Sequence, residues 1–185
     1  MDNIANDGQL ITEARSNPAA FARLYRRHYD ALFRYCAHRL FERHIAEDIT
    51  AQVFLKVVEN FDRFKGNQQQ FRNWLYKIAT NAVNNHLRTT ARRKTLLNVT
   101  YPQENNRDTD CKDISADKLT FLREAMFCLK PRYQTIIALR FFENLKLTEI
   151  AEVLGSSSGT VRSQLARALA KLRKVLATES IERLC

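Results

Sequence analysis

Glycine and proline are scarce in this chain, four and three in 185 residues. β-sandwiches and barrels turn on such residues roughly every 8–12 positions, and Gly-rich nucleotide loops need several together. Neither is open to this sequence. Helices need such punctuation only at their ends. With 45% hydrophobic residues the chain can fill a core, which excludes wholesale disorder. The length suits one ordinary domain or two small ones. The chain reads as all-α: two small helical domains joined by a flexible linker, the second a helix-turn-helix.

Apolar positions recur at three- and four-residue steps along most of the chain. Asn17-Pro18 reads as an N-cap followed by proline at the first helical position. Phe21, Leu24, Tyr25, Tyr29, Leu32, Phe33, Cys36 and Leu40 then mark an amphipathic helix. A second helix starts near Ile45 and turns Ile49, Val53, Val57 and Phe61 to one face. Arg63–Gln70, with Gly66, Asn67 and three glutamines, reads as a loop. A third helix carries Phe71, Trp74, Leu75, Ile78, Ala79, Val83 and Leu87 inward.

Between about Arg93 and Ala116 the periodicity fails, asparagines and aspartates crowd together, and the charge balance turns acidic. The pattern resumes at Leu119, Leu122, Met126 and Leu129, and Pro131 starts a further helix. A short helix is expected over Thr148–Leu154, stopped by Gly155, with Ser157 or Ser158 capping the last one. The expected division is 18–94, a linker over 95–116, and 117–178.

Thirty Lys and Arg against twenty Asp and Glu give a net charge of +10, so a polyanion is the default partner. Cys36, Cys111, Cys128 and Cys185 are scattered, with no C-x-x-C and no histidine at metal spacing. No metal, cofactor or disulfide framework is expected. The polar N-terminus lacks an apolar signal region, and no stretch approaches the roughly 18 apolar residues of a membrane span. A cytoplasmic protein without membrane insertion is expected.

Leu145–Ala168 carries the strongest motif. Ile150, Ala151 and Leu154 form the packing face of a first helix, Gly155 permits the sharp turn, and Val161 and Leu165 anchor a second. Thr160, Arg162, Ser163, Gln164, Ala166 and Arg167 are left facing outward, and Lys171 continues the basic run. A helix of this kind presents its N-terminal residues to base edges and phosphates of duplex DNA. A second basic cluster, Arg88, Arg92, Arg93 and Lys94, follows Asn81, Asn84, Asn85 and His86. Amides near Trp74 suit unstacked bases, although Trp74 also fits a place in the core.

The motifs A-E-D-I-T-A-Q-V-F-L-K-V (Ala46–Val57), F-R-N-W-L-Y-K-I-A-T-N (Phe71–Asn81), L-K-P-R-Y-Q-T-I-I-A-L-R (Leu129–Arg140) and G-T-V-R-S (Gly159–Ser163) occur in one order. Together they resemble the sigma-70 family of RNA polymerase sigma factors, in its short extracytoplasmic-function form. The resemblance implies core RNA polymerase and promoter DNA as partners, promoter-specific initiation as function, and an anti-sigma factor or other regulator. It implies that Asp48, Gln52 and Leu55 lie on the core-binding helix. Lys65 and Asn67 fall in the loop that captures a flipped base of the −10 element. Asn81, Asn84, Asn85, Arg88, Arg92 and Arg93 fall on or just after the helix that reads and melts it. Ser158, Thr160, Arg162, Ser163, Gln164, Arg167 and Lys171 belong to the helix entering the −35 major groove.

Two departures from the family pattern stand out. Ala51-Gln52 replaces the family's Gln-Glu, removing an acid from the core-binding surface. Thr50 beside it is a candidate regulatory position, where a phosphate would restore about −1.5 to −2 of charge. Lys146 stands where a capping Ser or Thr is common, so the following helix is expected to begin at Thr148. A regulator using the helix-turn-helix without polymerase would leave the first two motifs unexplained. An enzyme finds no support: no carboxylate pair, Ser/Cys-His constellation or phosphate loop is visible.

Overall fold

The computed structural model describes residues 7–96 and 125–182, and every regular element among them is helical. The first unit comprises α1 (Asp7–Glu13), α2 (Pro18–Leu40), α3 (Arg43–Asn60) and α4 (Gln68–Leu96), with a 3-10 turn at Phe61–Arg63. The second comprises α5 (Pro131–Ile137), which runs into a π-helical turn at Ala138–Phe142, then α6 (Leu147–Leu154) and α7 (Ser158–Glu182). Residues 97–124, which hold nearly all of the expected linker together with Leu119 and Leu122, lie outside the described residues.

Local chemistry sets the helix ends. Asn17 Oδ1 accepts the Ala19 N–H at 3.0 Å, and Pro18 opens α2. Gly155, at φ 60°, closes α6, and Ser157 Oγ accepts the Thr160 N–H at 3.1 Å to start α7. Three starts differ from expectation. α4 begins at Gln68, inside the expected loop, because Asn67 and Gln70 form a reciprocal cap with both N–H···O distances at 2.9 Å. α6 begins at Leu147 rather than Thr148, since the Glu149 carboxylate accepts the Lys146 N–H at 2.5 Å. The short helix α1 carried too little periodicity to be read; it buries Leu10 and Ile11 against the first unit.

α2, α3 and α4 pack around Leu24, Leu32, Tyr35, Ile49, Val53, Val57, Phe71 and Leu75, all buried. The same continuous core takes in Ile136, Leu139, Leu145, Ile150 and Val161 of the second unit. Met126, Leu129, Tyr133, Ile137 and Ala168 form a smaller cluster beneath α5 and α7. The two units are therefore folded against each other, with α6 lying on α4.

Candidate nucleic-acid interface

Spacing puts Asn81, Asn84, Asn85 and Arg88 three and four residues apart, so they form one stripe along α4 that Arg92 continues. All five are exposed, as is Arg93. The Arg88 guanidinium donates to Asn85 Oδ1 at 2.9 Å, holding the amide's N–H₂ outward. Neutral hydrogen-bonding groups at the centre and charge at the end suit a strand whose bases are read and whose phosphates are paired.

Beside this stripe lies an open cavity of about 430 Å³ between α3 and α4. Lys56, Asn60, Arg63, Phe64, Lys65, Trp74 and Ile78 line it. Phe64 and Trp74 stack at 5.0 Å with their planes 22° apart. Trp74 is half-buried, with one part in the core and another in the cavity. Of the two loop positions singled out by sequence, Lys65 lines this cavity, whereas the Asn67 side chain is taken up in capping α4. Phe64, Lys56, Asn60 and Arg63 were not foreseen. An aromatic directly before a loop lysine was the one available signal.

In the second unit, α6 and α7 form the helix-turn-helix, with Ile150, Ala151 and Val161 buried at their crossing. Ser158, Thr160, Arg162, Ser163 and Arg167 are exposed and Gln164 is half-buried. The Ser163 hydroxyl is drawn back to the Thr160 carbonyl at 3.0 Å, leaving Arg162 and Arg167 as the long reaching groups. The Lys171 ammonium sits 5.8 Å over the Tyr133 ring, towards α5.

Asp48, Gln52 and Leu55 fall on one exposed face of α3, and Leu55 is 60% and Val58 54% accessible. Two large aliphatic side chains standing in water beside a carboxylate mark a surface suited to a protein partner. Thr50 is not part of it. It is fully buried, and its hydroxyl donates to the Ala46 carbonyl at 2.7 Å. The proposed modification site is thus inside the core, on the apolar phase set by Ala46, Ile49, Val53 and Val57. Among the described residues no cluster of His, Cys, Asp and Glu is arranged to hold a metal ion, and no helix is long and apolar enough to cross a membrane.

Residues 24–93 match the family described as Sigma-70 region 2, and residues 125–174 match Sigma-70, region 4. The chain belongs to the sigma-70 family. Among relatives, the ECF RNA polymerase sigma factor BldN of Streptomyces coelicolor is 29% identical over 171 residues, covering 91% of this chain and 65% of that protein. The RNA polymerase sigma factor SigV of Bacillus subtilis is 32% identical over 142 residues, covering 74% of this chain and 78% of that protein. A solved structure of CnrH in complex with the cytosolic domain of CnrY shares the fold, with a TM-score of 0.70 and 22% identity over 93% of this chain and 97% of that one. This sigma factor is of the extracytoplasmic-function type, which supports promoter-specific initiation by RNA polymerase and is not an enzyme.

Proposed function

We propose that this sigma factor docks on core RNA polymerase through Asp48, Gln52 and Leu55 of α3 and reads promoter DNA with two separate surfaces. Residues 18–94 take the −10 element and residues 117–178 the −35 element, with 95–116 as the connection. Lys65 and the aromatic cavity receive an unpaired base, while Asn81, Asn84, Asn85 and Arg88 contact the opened strand and Arg92 and Arg93 its phosphates. Ser158, Thr160, Arg162, Ser163, Gln164, Arg167 and Lys171 present α7 to the major groove. Lys171 contributes from its edge.

The observation that carries this reading is the Phe64–Trp74 stack facing a cavity directly beside an exposed amide stripe. Every base has a π-face, so an aromatic platform holds unstacked bases. Capture of a flipped base shifts the duplex towards the open form, so melting needs no nucleotide hydrolysis. The site of action is the cytoplasm. CnrH was solved with the cytosolic domain of CnrY and the sigma factor RpoE of Bartonella quintana with the anti-sigma factor NepR, and a comparable anti-sigma partner fits this chain.

The test is co-elution with purified bacterial core RNA polymerase on a sizing column, followed by run-off transcription from genomic fragments. Association and specific transcripts are expected. Tight duplex binding by the free chain without association to core would instead mark a stand-alone regulator.

A further inference from the structure

The outer face of α3 does not end at Leu55. Val58, almost one turn further on and 54% accessible, forms the lip of a second open cavity of about 330 Å³. This notch lies between the end of α3 and the turn that joins α1 to α2, and Ala14, Pro18, Phe21, Val58 and Phe61 give it apolar walls. Phe21 meets Phe61 edge-on at 5.4 Å, and Phe61 meets Phe71 in the same way at 6.0 Å, so the core braces its floor. Its polar neighbours are already committed. The Arg15 guanidinium donates to the Asp62 and Phe64 carbonyls, and Asn17 Oδ1 caps α2.

We infer that this notch is a docking site for core RNA polymerase, which seats a bulky apolar side chain between the α1–α2 turn and Val58. The inference rests on the reading of α3 given above and extends that surface beyond the helix that carries it. Three observations choose this occupant. The notch is continuous with the exposed face of Asp48, Gln52 and Leu55, since Leu55 and Val58 are neighbours on one side of the helix. Its chemistry is that of an interface anchor point: an apolar recess beside two aliphatic groups standing in water. Gln52 stands where an acid is usual, so more of the affinity for core comes from apolar burial. Other ligands fit less well. Arg15 and Asn17 are turned elsewhere and give a small polar ligand little orientation. The exposed Asp62 carboxylate on the rim repels a phosphate backbone.

The notch also adjoins the base-receiving cavity. Phe61 and Asp62 line the notch, and the residues directly after them, Arg63, Phe64 and Lys65, line the cavity beside Trp74. One short segment is thus a wall of both. A polymerase side chain seated against Phe61 holds that segment in the conformation that presents Phe64, which leaves less ordering to be done when a base is captured.

The test is hydrogen exchange read by mass spectrometry on the full-length chain, free and bound to purified core polymerase. Peptides covering residues 48–55 should slow on binding, as docking through α3 requires, and peptides covering 14–18 and 58–65 should slow with them. Two variants extend the measurement. Ser16→Phe, at an exposed position on the rim, fills the notch, and Val58→Ser removes its apolar lip. Each should weaken association with core by about tenfold, and Ser16→Phe should leave binding of the free chain to −35 duplex unchanged. Helical circular dichroism and a cooperative melt verify folding.

Protection of 48–55 with none at 14–18 would overturn the notch and leave the α3 surface standing. Absence of protection at both would overturn the α3 reading and the notch with it. Core affinity unchanged in both variants would also sink the inference. So would light scattering that shows the free chain as a dimer and Ser16→Phe as a monomer, because the occupant would then be a second copy of this chain.

Discussion

Phe64 and Trp74 stack at 5.0 Å across the floor of the α3–α4 cavity, and Trp74 is the single tryptophan of the chain. Tryptophan fluorescence, excited selectively over the six tyrosines, therefore reports on this cavity. A single-stranded −10 oligonucleotide should quench it, and Trp74→Ala should weaken binding of that strand by about 1–3 kcal/mol while −35 duplex binding stays constant. Fluorescence anisotropy with both probes checks the split. Equal loss on both would show a folding defect in place of a base platform.

Arg15 stands outside every sequence motif yet holds one wall of that cavity. Its guanidinium donates to the Phe64 carbonyl at 2.5 Å and to the Asp62 carbonyl at 3.4 Å, tying the segment before α2 to the turn that presents Phe64. Arg15→Ala should lower affinity for the −10 strand by about 0.5–1.5 kcal/mol, the range of one hydrogen-bonded tether. Amide exchange across residues 61–65 should quicken, and Arg15→Lys should recover part of both effects. Unchanged exchange would remove Arg15 from this role.

The elements that could be read from sequence are those fixed by local chemistry. Asn17-Pro18, Gly155 and the serines at 156–158 act on their own neighbours, and apolar periodicity placed α2, α3 and α7. Thr50 illustrates a signal that was present and overridden: its phase with Ala46, Val53 and Val57 already turned it inward. The start of α4 was hidden because glutamines serve equally in loops and caps. The Arg39–Gln134 contact joins residues 95 positions apart and leaves no periodic trace. Nor does the cavity, whose lining comes from two helices and a turn.

Arg162 and Arg167 project from α7 at positions able to reach base edges, whereas Arg92 and Arg93 follow the amide stripe of α4. Arg162→Ala should cost about 1–3 kcal/mol at −35 duplex sites and relax preference at one base pair. Arg92→Ala with Arg93→Ala should weaken binding across sequences and flatten the salt dependence by about 0.7–0.9 per contact removed. Holoenzyme titrations over a range of salt would separate the two, and identical slopes would contradict the division.

Thr50 decides whether α3 can act as a phosphorylation switch. Because it is buried and hydrogen-bonded, Thr50→Ala should destabilise the fold by about 1–2 kcal/mol. Thr50→Asp places an unpaired carboxylate in the core and should cost on the order of 3–5 kcal/mol. Guanidinium denaturation of the two variants measures both. A stable Thr50→Asp protein with stronger core binding would restore the switch.

His38 gives the interface between the units a pH dependence with a definite sign. Burial, and then the charge of Arg34, hold its imidazole below the ordinary 6.5, while the ring stacks on Phe142. The folded state thus binds fewer protons than the unfolded one. The stability this contributes is complete above pH 6.5 and is lost as pH falls towards the lowered folded value. Glu143 works in the opposite direction, since burial raises its carboxyl above 4.5, and its contribution is lost as pH rises through that raised value. Comparing wild type with His38→Gln isolates the histidine. Between about pH 7.5 and about pH 5.5, on either side of the ordinary histidine value, the wild-type Tm should fall further than that of the variant. Parallel melting curves would show that His38 is not held neutral by its place against Phe142.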